Sequence, residues 1–316
     1  MNSLASRRIP FFFAVDAWAR RWTVLEFLEA RNAGLLWNLD GRGPLSPPRK
    51  PPANFHFTPQ IVPENVYLQG FRRIRRAQED GESWLANLTY PAQLETNLDL
   101  DTLARCASAP FRLLDPDHLA IFSPERFISI TADGFVSSFP MKGTIDASLP
   151  NAAETILSDA KESAEHITIV DLIRNDLGRI CRRVDVPRFR FITQAGPPER
   201  RLLQVSSEVR GTLPEDWRGR LGSLLGELLP AGSVTGAPKV RTCEVIQEAE
   251  GYDRGWYTGV FGIFDGSTLD SAVAIRFVEK TSEGHLVYKS GGGITINSLG
   301  ESEYEELKAK IYAPFG

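Results

Sequence analysis

The sequence is poor in the residues that build disulfide frameworks and mixed His/Cys metal sites. It contains three cysteines, four histidines and two methionines among 316 residues. Cys106, Cys181 and Cys243 are too few and too scattered for a disulfide framework, which indicates a protein of the reducing cytosol. The histidines show no metal-ligand spacing and have no cysteine partner. These absences exclude a small disulfide-rich secreted protein and a zinc-finger-like module.

Long hydrophobic runs and a strong charge of one sign are also missing. No stretch approaches the roughly 18 apolar residues that a membrane-spanning helix needs. The apolar segment 9–15 ends at Asp16, which makes it too short for a signal peptide. The formal net charge is −4, and the arginine-rich segments 72–76 and 182–183 are short, whereas nucleic-acid binders usually carry a basic patch. We therefore expect a cytoplasmic protein that binds neither membranes nor nucleic acids.

The composition that remains is typical of a soluble globular protein, with 42% hydrophobic and 24% charged residues. Proline density excludes helix and interior strand over residues 41–52. We predict a reduced N-terminal segment, residues 1–55, that packs on a catalytic domain formed by residues 56–316. Helices and strands occur in clusters rather than in strict alternation, which predicts an α+β fold.

Hydrophobic periodicity and turn residues predict the individual elements. The predicted helices cover residues 16–30, 64–78 and 151–177, with further helices after Pro214, from Pro238 and from about Glu301. The predicted strands cover residues 34–39, 121–122, 127–130, 135–139, 189–193, 202–209, 258–264, 271–278 and 286–289. Glycine-rich segments at 232–236 and 291–293 each precede a predicted helix, where backbone amides favour an anion.

Two pairs of glutamates have helical spacing. Glu162 and Glu165 are three residues apart on one predicted helix, and Glu303 and Glu306 are three apart on another. This spacing puts each pair on one helical face. If the two helices face each other, four carboxylates converge on a site that suits Mg²⁺. From spacing alone, solvent-exposed glutamates are the more common explanation.

Three other charged side chains are candidates for chemistry. Lys142 follows Pro140 and lies among apolar neighbours, so burial is expected to lower its pKa and make the amine nucleophilic. A surface lysine is the common alternative. Glu125 is either a general acid or the partner of Arg126. Arg276 interrupts an apolar strand, and either a bound carboxylate or an internal salt bridge would compensate its charge.

Taken together, several ordered segments resemble those of the chorismate-binding enzymes, a family that includes anthranilate, aminodeoxychorismate, isochorismate and salicylate synthases. The resemblance runs from about residue 60 to the C-terminus. The segments that carry it are 123–127, 140–144, 161–166, 171–176, 232–239, 257–259, 291–294 and 303–306. With this many segments in the right order, a catalytic role for the glutamate pairs becomes the preferred interpretation.

The resemblance implies a role for each matching residue. Glu165 and Glu306 correspond to direct Mg²⁺ ligands, and Glu162 and Glu303 to residues that hold water ligands. Glu125 corresponds to the general acid that protonates the departing C4 hydroxyl. The residues implied in substrate binding are Tyr257, Arg276, Gly291, Gly293 and Lys310 at the enolpyruvyl carboxylate, and Gly143, Thr144 and Thr235 at the ring, with Gln204 nearby.

Lys142 selects a branch of the family. In anthranilate, isochorismate and salicylate synthases the corresponding residue is alanine, whereas aminodeoxychorismate synthases carry lysine. Gln204 stands where many relatives have histidine, and this mildly favours the same branch. The resemblance thus implies that Lys142 attacks C2 of chorismate with loss of the C4 hydroxyl, after which ammonia enters at C4 and expels the lysine.

The remaining expectations concern the partner subunit and two alternative functions. No cysteine lies on a glycine-flanked elbow of the kind a glutaminase needs, so we expect ammonia to come from a separate glutamine amidotransferase subunit. The short N-terminal segment predicts that the tryptophan or feedback site of larger relatives is absent or vestigial. Two rivals stay open at this point. One is an anthranilate synthase component I, and the other is a non-catalytic subunit that only binds the amidotransferase.

Overall fold

The structure is a computed structural model, and it describes residues 1–195 and 201–315. Within these ranges the chain forms nine α-helices and seventeen β-strands. The helices are α1 (Asn2–Ser6), α2 (Phe27–Asn32), α3 (Glu64–Glu79), α4 (Leu100–Cys106), α5 (Ala152–Ser158), α6 (Ala160–Gly178), α7 (Leu221–Leu228), α8 (Lys239–Glu250) and α9 (Gly300–Ala309).

The strands follow the same chain order. They are β1 (Phe11–Val15), β2 (Trp22–Glu26), β3 (Leu36–Leu39), β4 (Phe57–Gln60), β5 (Leu85–Thr96), β6 (Phe111–Asp115), β7 (Leu119–Ser123), β8 (Arg126–Ile130), β9 (Phe135–Ser138), β10 (Met141–Asp146), β11 (Arg183–Ala195), β12 (Leu202–Thr212), β13 (Gly236–Ala237), β14 (Val260–Phe264), β15 (Leu269–Val273), β16 (Phe277–Lys280) and β17 (Leu286–Thr295).

These strands pair into two sheets. The first has the order β10-β12-β9-β8-β15-β14-β1-β2, with β11 pairing the other edge of β12. The second has the order β13-β5-β17-β16-β7-β6-β3, with β4 also pairing β5. A layered arrangement of mixed sheets and helices results, and the prediction of an α+β fold is confirmed.

The hydrophobic core occupies three kinds of interface. Apolar side chains of both sheets, among them Phe12, Phe261 and Phe277, pack together between the sheets. The outer face of the first sheet packs against α6 and α7. The outer face of the second sheet is covered at one end by α3, α8 and α9. Because α6 packs on one sheet and α9 on the other, elements of both sheets bound the space between these two helices.

The predicted helix at residues 16–30 is wrong. This segment contains β2, which pairs with β1 as a hairpin, and only the short α2. The Asp16 carboxylate accepts hydrogen bonds from the backbone N–H groups of Arg20 and Arg21 and so closes the turn. Pairing with a buried strand outweighs a helical pattern that is only local. By contrast, the prediction for residues 64–78 is confirmed by α3, whose buried positions recur with helical period.

The predicted helix at residues 151–177 is interrupted. Asp159 has an extended backbone conformation and separates α5 from α6. Its carboxylate accepts a hydrogen bond from the N–H of Glu162, which is the usual N-cap interaction. The second helix ends at Gly178, as predicted. The break therefore puts Glu162 and Glu165 in the first two turns of α6.

Two further predictions need correction near the C-terminus. The single strand expected at residues 271–278 is divided into β15 and β16, which belong to different sheets. Gly291 and Gly293 belong to the glycine-rich segment expected to precede a helix as an anion site, but they lie within β17, which pairs with β5 over ten residues. A glycine run in a strand marks a close approach by another part of the chain.

No helix in the described residues is long and apolar enough to cross a membrane. In the N-terminal segment, β1 and β2 belong to the first sheet and β3 to the second. The division of the chain at residue 55 stays a prediction.

Candidate active site

A cavity of about 860 Å³ is lined by strands of both sheets and by α6 and α9. Most of the residues that the sequence nominated line this cavity. They are Glu125, Lys142, Glu165, Gln204, Tyr257, Arg276, Gly291, Gly293, Glu306 and Lys310. These residues come from eight separate places along the chain, so tertiary folding has assembled a single polar site.

Lys142 reaches the cavity from an irregular position in β10. The pairing of β10 with β12 shifts register between Lys142 and Thr144, and the intervening Gly143 has a positive φ of 81°. A β-bulge with glycine at the left-handed position is a common device for redirecting a side chain. The Lys142 ammonium lies 2.8 Å from a carboxylate oxygen of Glu165.

The pKa of Lys142 differs from the sequence-based expectation. Burial alone lowers the pKa of the ammonium group, as predicted. The hydrogen bond to Glu165 and the negative charges of Glu306 and Glu162 outweigh burial, so the pKa lies above its ordinary value. The expectation of a lowered pKa is therefore wrong for this structure, because three carboxylates surround the amine.

The four predicted metal-binding carboxylates share this environment. Glu303 lies close enough to Glu306 and to Lys142 for all three charges to interact, and burial together with Glu306 keeps the pKa of Glu303 above its ordinary value. Their oxygen-only donor set matches the preference of Mg²⁺. In the described part of the chain, however, no three His, Cys, Asp or Glu side chains are arranged to hold a metal ion. Lys142 pairs with Glu165, and Lys310 pairs with Glu306 at 2.5 Å.

The charged side chains of α9 lie over the glycine run of β17. A Cβ atom added to Gly292 would be 3.6 Å from carboxylate oxygens of Glu303 and Glu306 and from the ammonium nitrogen of Lys310. The same ammonium donates a hydrogen bond of 3.0 Å to the carbonyl of Gly291. The bare strand therefore forms the floor of the site, directly beneath the charged side chains of α9.

Glu125 lies in the short connection between β7 and β8. Its carboxyl accepts a hydrogen bond of 2.7 Å from the hydroxyl of Ser233. Burial raises the pKa of Glu125, and the hydrogen bond together with the positive charges of Arg276 and Lys310 offsets only part of this effect. A carboxyl with a raised pKa retains its proton nearer to neutral pH, which suits a general acid.

Arg276 occupies the crossover between β15 and β16. It has a positive φ of 52°, which is uncommon for a residue with a side chain and accompanies the sharp change of sheet. Its guanidinium donates a hydrogen bond of 3.3 Å to the hydroxyl of Tyr312. The buried Tyr257 lies close enough for the Arg276 charge to counteract part of the rise that burial causes in the pKa of its phenol. A cation and a phenol thus stand together at this end of the cavity.

Three predicted substrate-binding residues lie elsewhere. Thr235 is buried, and its hydroxyl donates to the carbonyl of Ala231 instead of lining the cavity. Thr144 is exposed and is approached by the Gln204 amide at 3.5 Å. Gly143 lies beneath Glu162, whose carboxylate would be 3.1 Å from an added Cβ. None of these three residues is among those that line the cavity, and their role at the ring stays a prediction.

Two groups that shape the site were not predicted from the sequence. Ser233 lies two residues from Thr235 and takes the position at the cavity wall that was expected for the threonine. Arg254 is fully buried, pairs with Glu250 and donates to the carbonyls of Val234 and Asn87. In the sequence, Arg254 is a single arginine next to a glycine. This pattern does not distinguish a buried arginine from one on the surface.

Comparison with known proteins identifies the class. The family model for chorismate-binding enzymes matches residues 17–316. This chain therefore belongs to the chorismate-binding enzyme family. The match begins well before residue 60, where the resemblance of individual segments starts.

Individual relatives narrow the similarity further. A protein of Haemophilus influenzae described as an uncharacterized PabA-like protein is 43% identical over 99% of this chain and 94% of its own length. Aminodeoxychorismate synthase component 1 of Salmonella typhimurium is 34% identical over 78% of this chain, and the match spans 56% of that protein. The crystal structure of anthranilate synthase component I from Streptococcus pneumoniae superposes with a TM-score of 0.69, at 27% identity, over 88% of this chain and 60% of the other.

Proposed function

We propose that this protein is the chorismate-aminating component of an aminodeoxychorismate synthase. It would convert chorismate and ammonia to 4-amino-4-deoxychorismate, a precursor of 4-aminobenzoate and folate, with Mg²⁺ as cofactor. The observation that carries the proposal is the presence of Lys142 in the same cavity as Glu125 and the paired carboxylates. The identity to aminodeoxychorismate synthase component 1 over most of the chain supports it.

In the first half of the proposed reaction, Lys142 attacks C2 of chorismate as the neutral amine, a form that would become accessible when its partners Glu165, Glu162 and Glu306 hold a cation instead. The ring double bond shifts, the bond between C4 and its oxygen breaks, and Glu125 donates its proton so that the hydroxyl leaves as water. In this step Lys142 is the nucleophile and Glu125 the general acid. A covalent adduct divides one difficult displacement into two easier ones.

In the second half, ammonia attacks C4 and the double bond returns to its original position. The bond between C2 and the Lys142 nitrogen breaks, which regenerates the free amine. The carboxylate of Glu125 accepts the proton that the incoming ammonia must lose. The sum is chorismate plus ammonia giving 4-amino-4-deoxychorismate plus water, and every group of the enzyme returns to its initial state.

The remaining residues bind the substrate. Arg276, Tyr257 and Lys310 present a cationic, hydrogen-bonding surface that suits the enolpyruvyl carboxylate, supported by amides of β17. Glu165 and Glu306 would hold Mg²⁺ directly, with Glu162 and Glu303 acting through water. When bound, the cation would neutralise and anchor the ring carboxylate of chorismate.

The proposal is tested by identifying the product. Purified protein supplied with chorismate, Mg²⁺ and ammonium is expected to form 4-amino-4-deoxychorismate, separated by chromatography. The variant Lys142→Ala is expected to lose most amination, whereas Lys280→Ala, which removes an exposed lysine outside this cavity, retains it. Full activity of Lys142→Ala would exclude the covalent mechanism.

The same assay separates the rival functions. Direct formation of anthranilate would assign the protein to the anthranilate synthases, the activity named for the structurally similar protein of Streptococcus pneumoniae. No consumption of chorismate under any of these conditions would support a non-catalytic role as an amidotransferase-binding subunit.

A further inference from the structure

Ser233 contacts the proposed general acid but belongs to no role assigned so far. Its hydroxyl lies 2.7 Å from Oε1 of Glu125, although the two residues are 108 positions apart. We propose that Ser233 is the positioning residue of Glu125, donating a hydrogen bond that holds the carboxyl at the leaving hydroxyl and stabilises the carboxylate formed when its proton is transferred. This inference rests on the proposed function, because it takes Glu125 as the acid.

The backbone around Glu125 is held by contacts that do not involve its carboxyl. Its N–H donates to the hydroxyl of Ser123 at 3.1 Å, and its carbonyl accepts from the N–H of Val273 at 3.1 Å. These bonds hold the main chain and do not involve the carboxyl. Within the residues that the structure describes, the Glu125 carboxyl accepts one hydrogen bond, which the hydroxyl of Ser233 donates. This single bond therefore determines where the acid points.

The turn that carries Ser233 is rigid. Residues Gly232–Val234 form a 3₁₀ turn, and the carbonyl of Val234 accepts a hydrogen bond of 2.9 Å from the buried guanidinium of Arg254. The N–H of Asn87 donates to the carbonyl of Thr235 at 2.9 Å. The hydroxyl of Ser233 is thus presented from a fixed backbone before substrate binds, and a preorganised donor needs no rearrangement during the reaction.

The opposite side of the turn is closed by α6. A Cβ atom added to Gly232 would lie 2.7 Å from a carboxylate oxygen of Asp176, which itself pairs with Lys239 at 2.9 Å. A side chain at residue 232 would therefore require the Asp176 carboxylate to move. The turn is therefore clamped between α6 and Arg254, and small displacements of Ser233 are restricted from both directions.

The chemistry explains why a hydroxyl is useful here. When Glu125 gives its proton to the leaving group, a negative charge develops on a carboxyl whose burial disfavours the charged form. A hydroxyl that donates to this carboxyl binds the charged form more tightly than the neutral form and so favours proton transfer. The positive charges of Arg276 and Lys310 also favour the charged form of Glu125. Within the described residues, Ser233 is the group that in addition orients the carboxyl through a hydrogen bond.

The test compares Ser233→Ala with Ser233→Thr, which retains the hydroxyl, and with Ser223→Ala, which removes an exposed hydroxyl on α7. The readouts are kcat, KM for chorismate and the pH profile of amination by ammonium. We expect Ser233→Ala to lower kcat about tenfold or more with a much smaller change in KM, and Ser233→Thr to restore most of kcat. Ser223→Ala is expected to behave as the wild type.

The pH profile distinguishes a positioning role of Ser233 towards Glu125 from a role that is limited to the stability of its turn. Glu125 acts when protonated, so activity falls as the pH rises through its pKa. The hydrogen bond from Ser233 lowers that pKa, and its loss in Ser233→Ala is expected to move this limb to higher pH. A fall in kcat with an unshifted limb would overturn the proposal.

A double-mutant cycle provides a second measurement. If Ser233→Ala folds poorly, Ser233→Cys takes its place in the cycle. If Ser233 acts through Glu125, then Ser233→Ala adds little to the loss already caused by Glu125→Gln, and Ser233→Cys shows the same non-additivity. Fully additive losses would overturn the proposal. If the wild type makes anthranilate instead, the proposed function fails, yet the cycle still tests Ser233 because chorismate consumption can be followed in its place.

Discussion

Lys142 shows how strongly a residue depends on neighbours that its own segment does not contain. The segment around it predicted a buried amine with a lowered pKa. In the folded protein the carboxylates of Glu165, Glu306 and Glu162 converge on the same ammonium and reverse the direction of the shift. In the proposed function, Lys142 is therefore both the nucleophile that attacks chorismate and the counter-ion of the carboxylates proposed to bind Mg²⁺.

This second relation leads to a prediction for metal binding. In Lys142→Met, a positive charge is removed from the carboxylate cluster, so binding of Mg²⁺ or Mn²⁺ without chorismate is expected to tighten several-fold. Isothermal titration calorimetry, or Mn²⁺ electron paramagnetic resonance, measures this directly. Lys280→Met is the control. Unchanged or weaker binding in Lys142→Met would show that the ammonium does not compete with the metal.

At the scale of elements, β17 combines regular pairing with a row of glycines. Its ten residues pair with β5, yet a Cβ atom at Gly291 would lie 2.4 Å from the carbonyl oxygen of Leu88 in that neighbouring strand. At Gly293 the nearest atom to an added Cβ is 3.4 Å away and belongs to the side chain of Leu85. The two positions look alike in the sequence but differ in the space that the fold leaves.

The strand therefore yields a matched pair of variants. Gly291→Ala is expected to lower the free energy of unfolding by about 1–3 kcal/mol, because the contact is with a backbone atom that cannot turn away. Gly293→Ala is expected to have a clearly smaller effect, since the side chain of Leu85 can adjust. Urea denaturation of both variants gives the comparison. Equal destabilisation would contradict the distances in the strand.

The elements also show where local patterns suffice. α3 was predicted within one residue at its C-terminal end, because six of its positions are buried with helical period. The helix expected at residues 16–30 failed because β2 pairs with β1 in a hairpin, and the buried strand that offers this pairing lies outside the segment itself. Arg276 was expected inside one strand, whereas its positive φ turns the chain from one sheet to the other.

At the scale of the whole molecule, the cysteines bear on where the ammonia of the proposed reaction comes from. None of the three cysteines is placed as a nucleophile: Cys106 is buried, burial raises the pKa of Cys181 to about 12, and burial likewise raises that of Cys243. A reactive thiol needs a lowered pKa. The structure therefore supports the proposal that a separate glutamine amidotransferase subunit supplies ammonia.

This leads to a prediction for the intact chain. Glutamine alone is expected to give neither glutamate nor aminated product, whereas ammonium salts support amination, with faster turnover as rising pH increases the fraction of free ammonia until Glu125 loses its proton. Glutamate and product are measured in the same reaction. Release of glutamate by the purified chain would contradict a separate source of ammonia.

The sequence by itself determined what depends on short-range order. The clustered order of the predicted helices and strands was sufficient for the α+β class. The helical spacing of the glutamate pairs and the ordered family segments were sufficient for ten of the residues that line the cavity. Tertiary structure decided what depends on distant neighbours. It set the pKa of Lys142, placed Ser233 rather than Thr235 at the cavity wall, and put Gly291 and Gly293 in a strand. Charge, hydrogen bonding and close packing act between side chains far apart in the sequence, so only the folded chain brings them together.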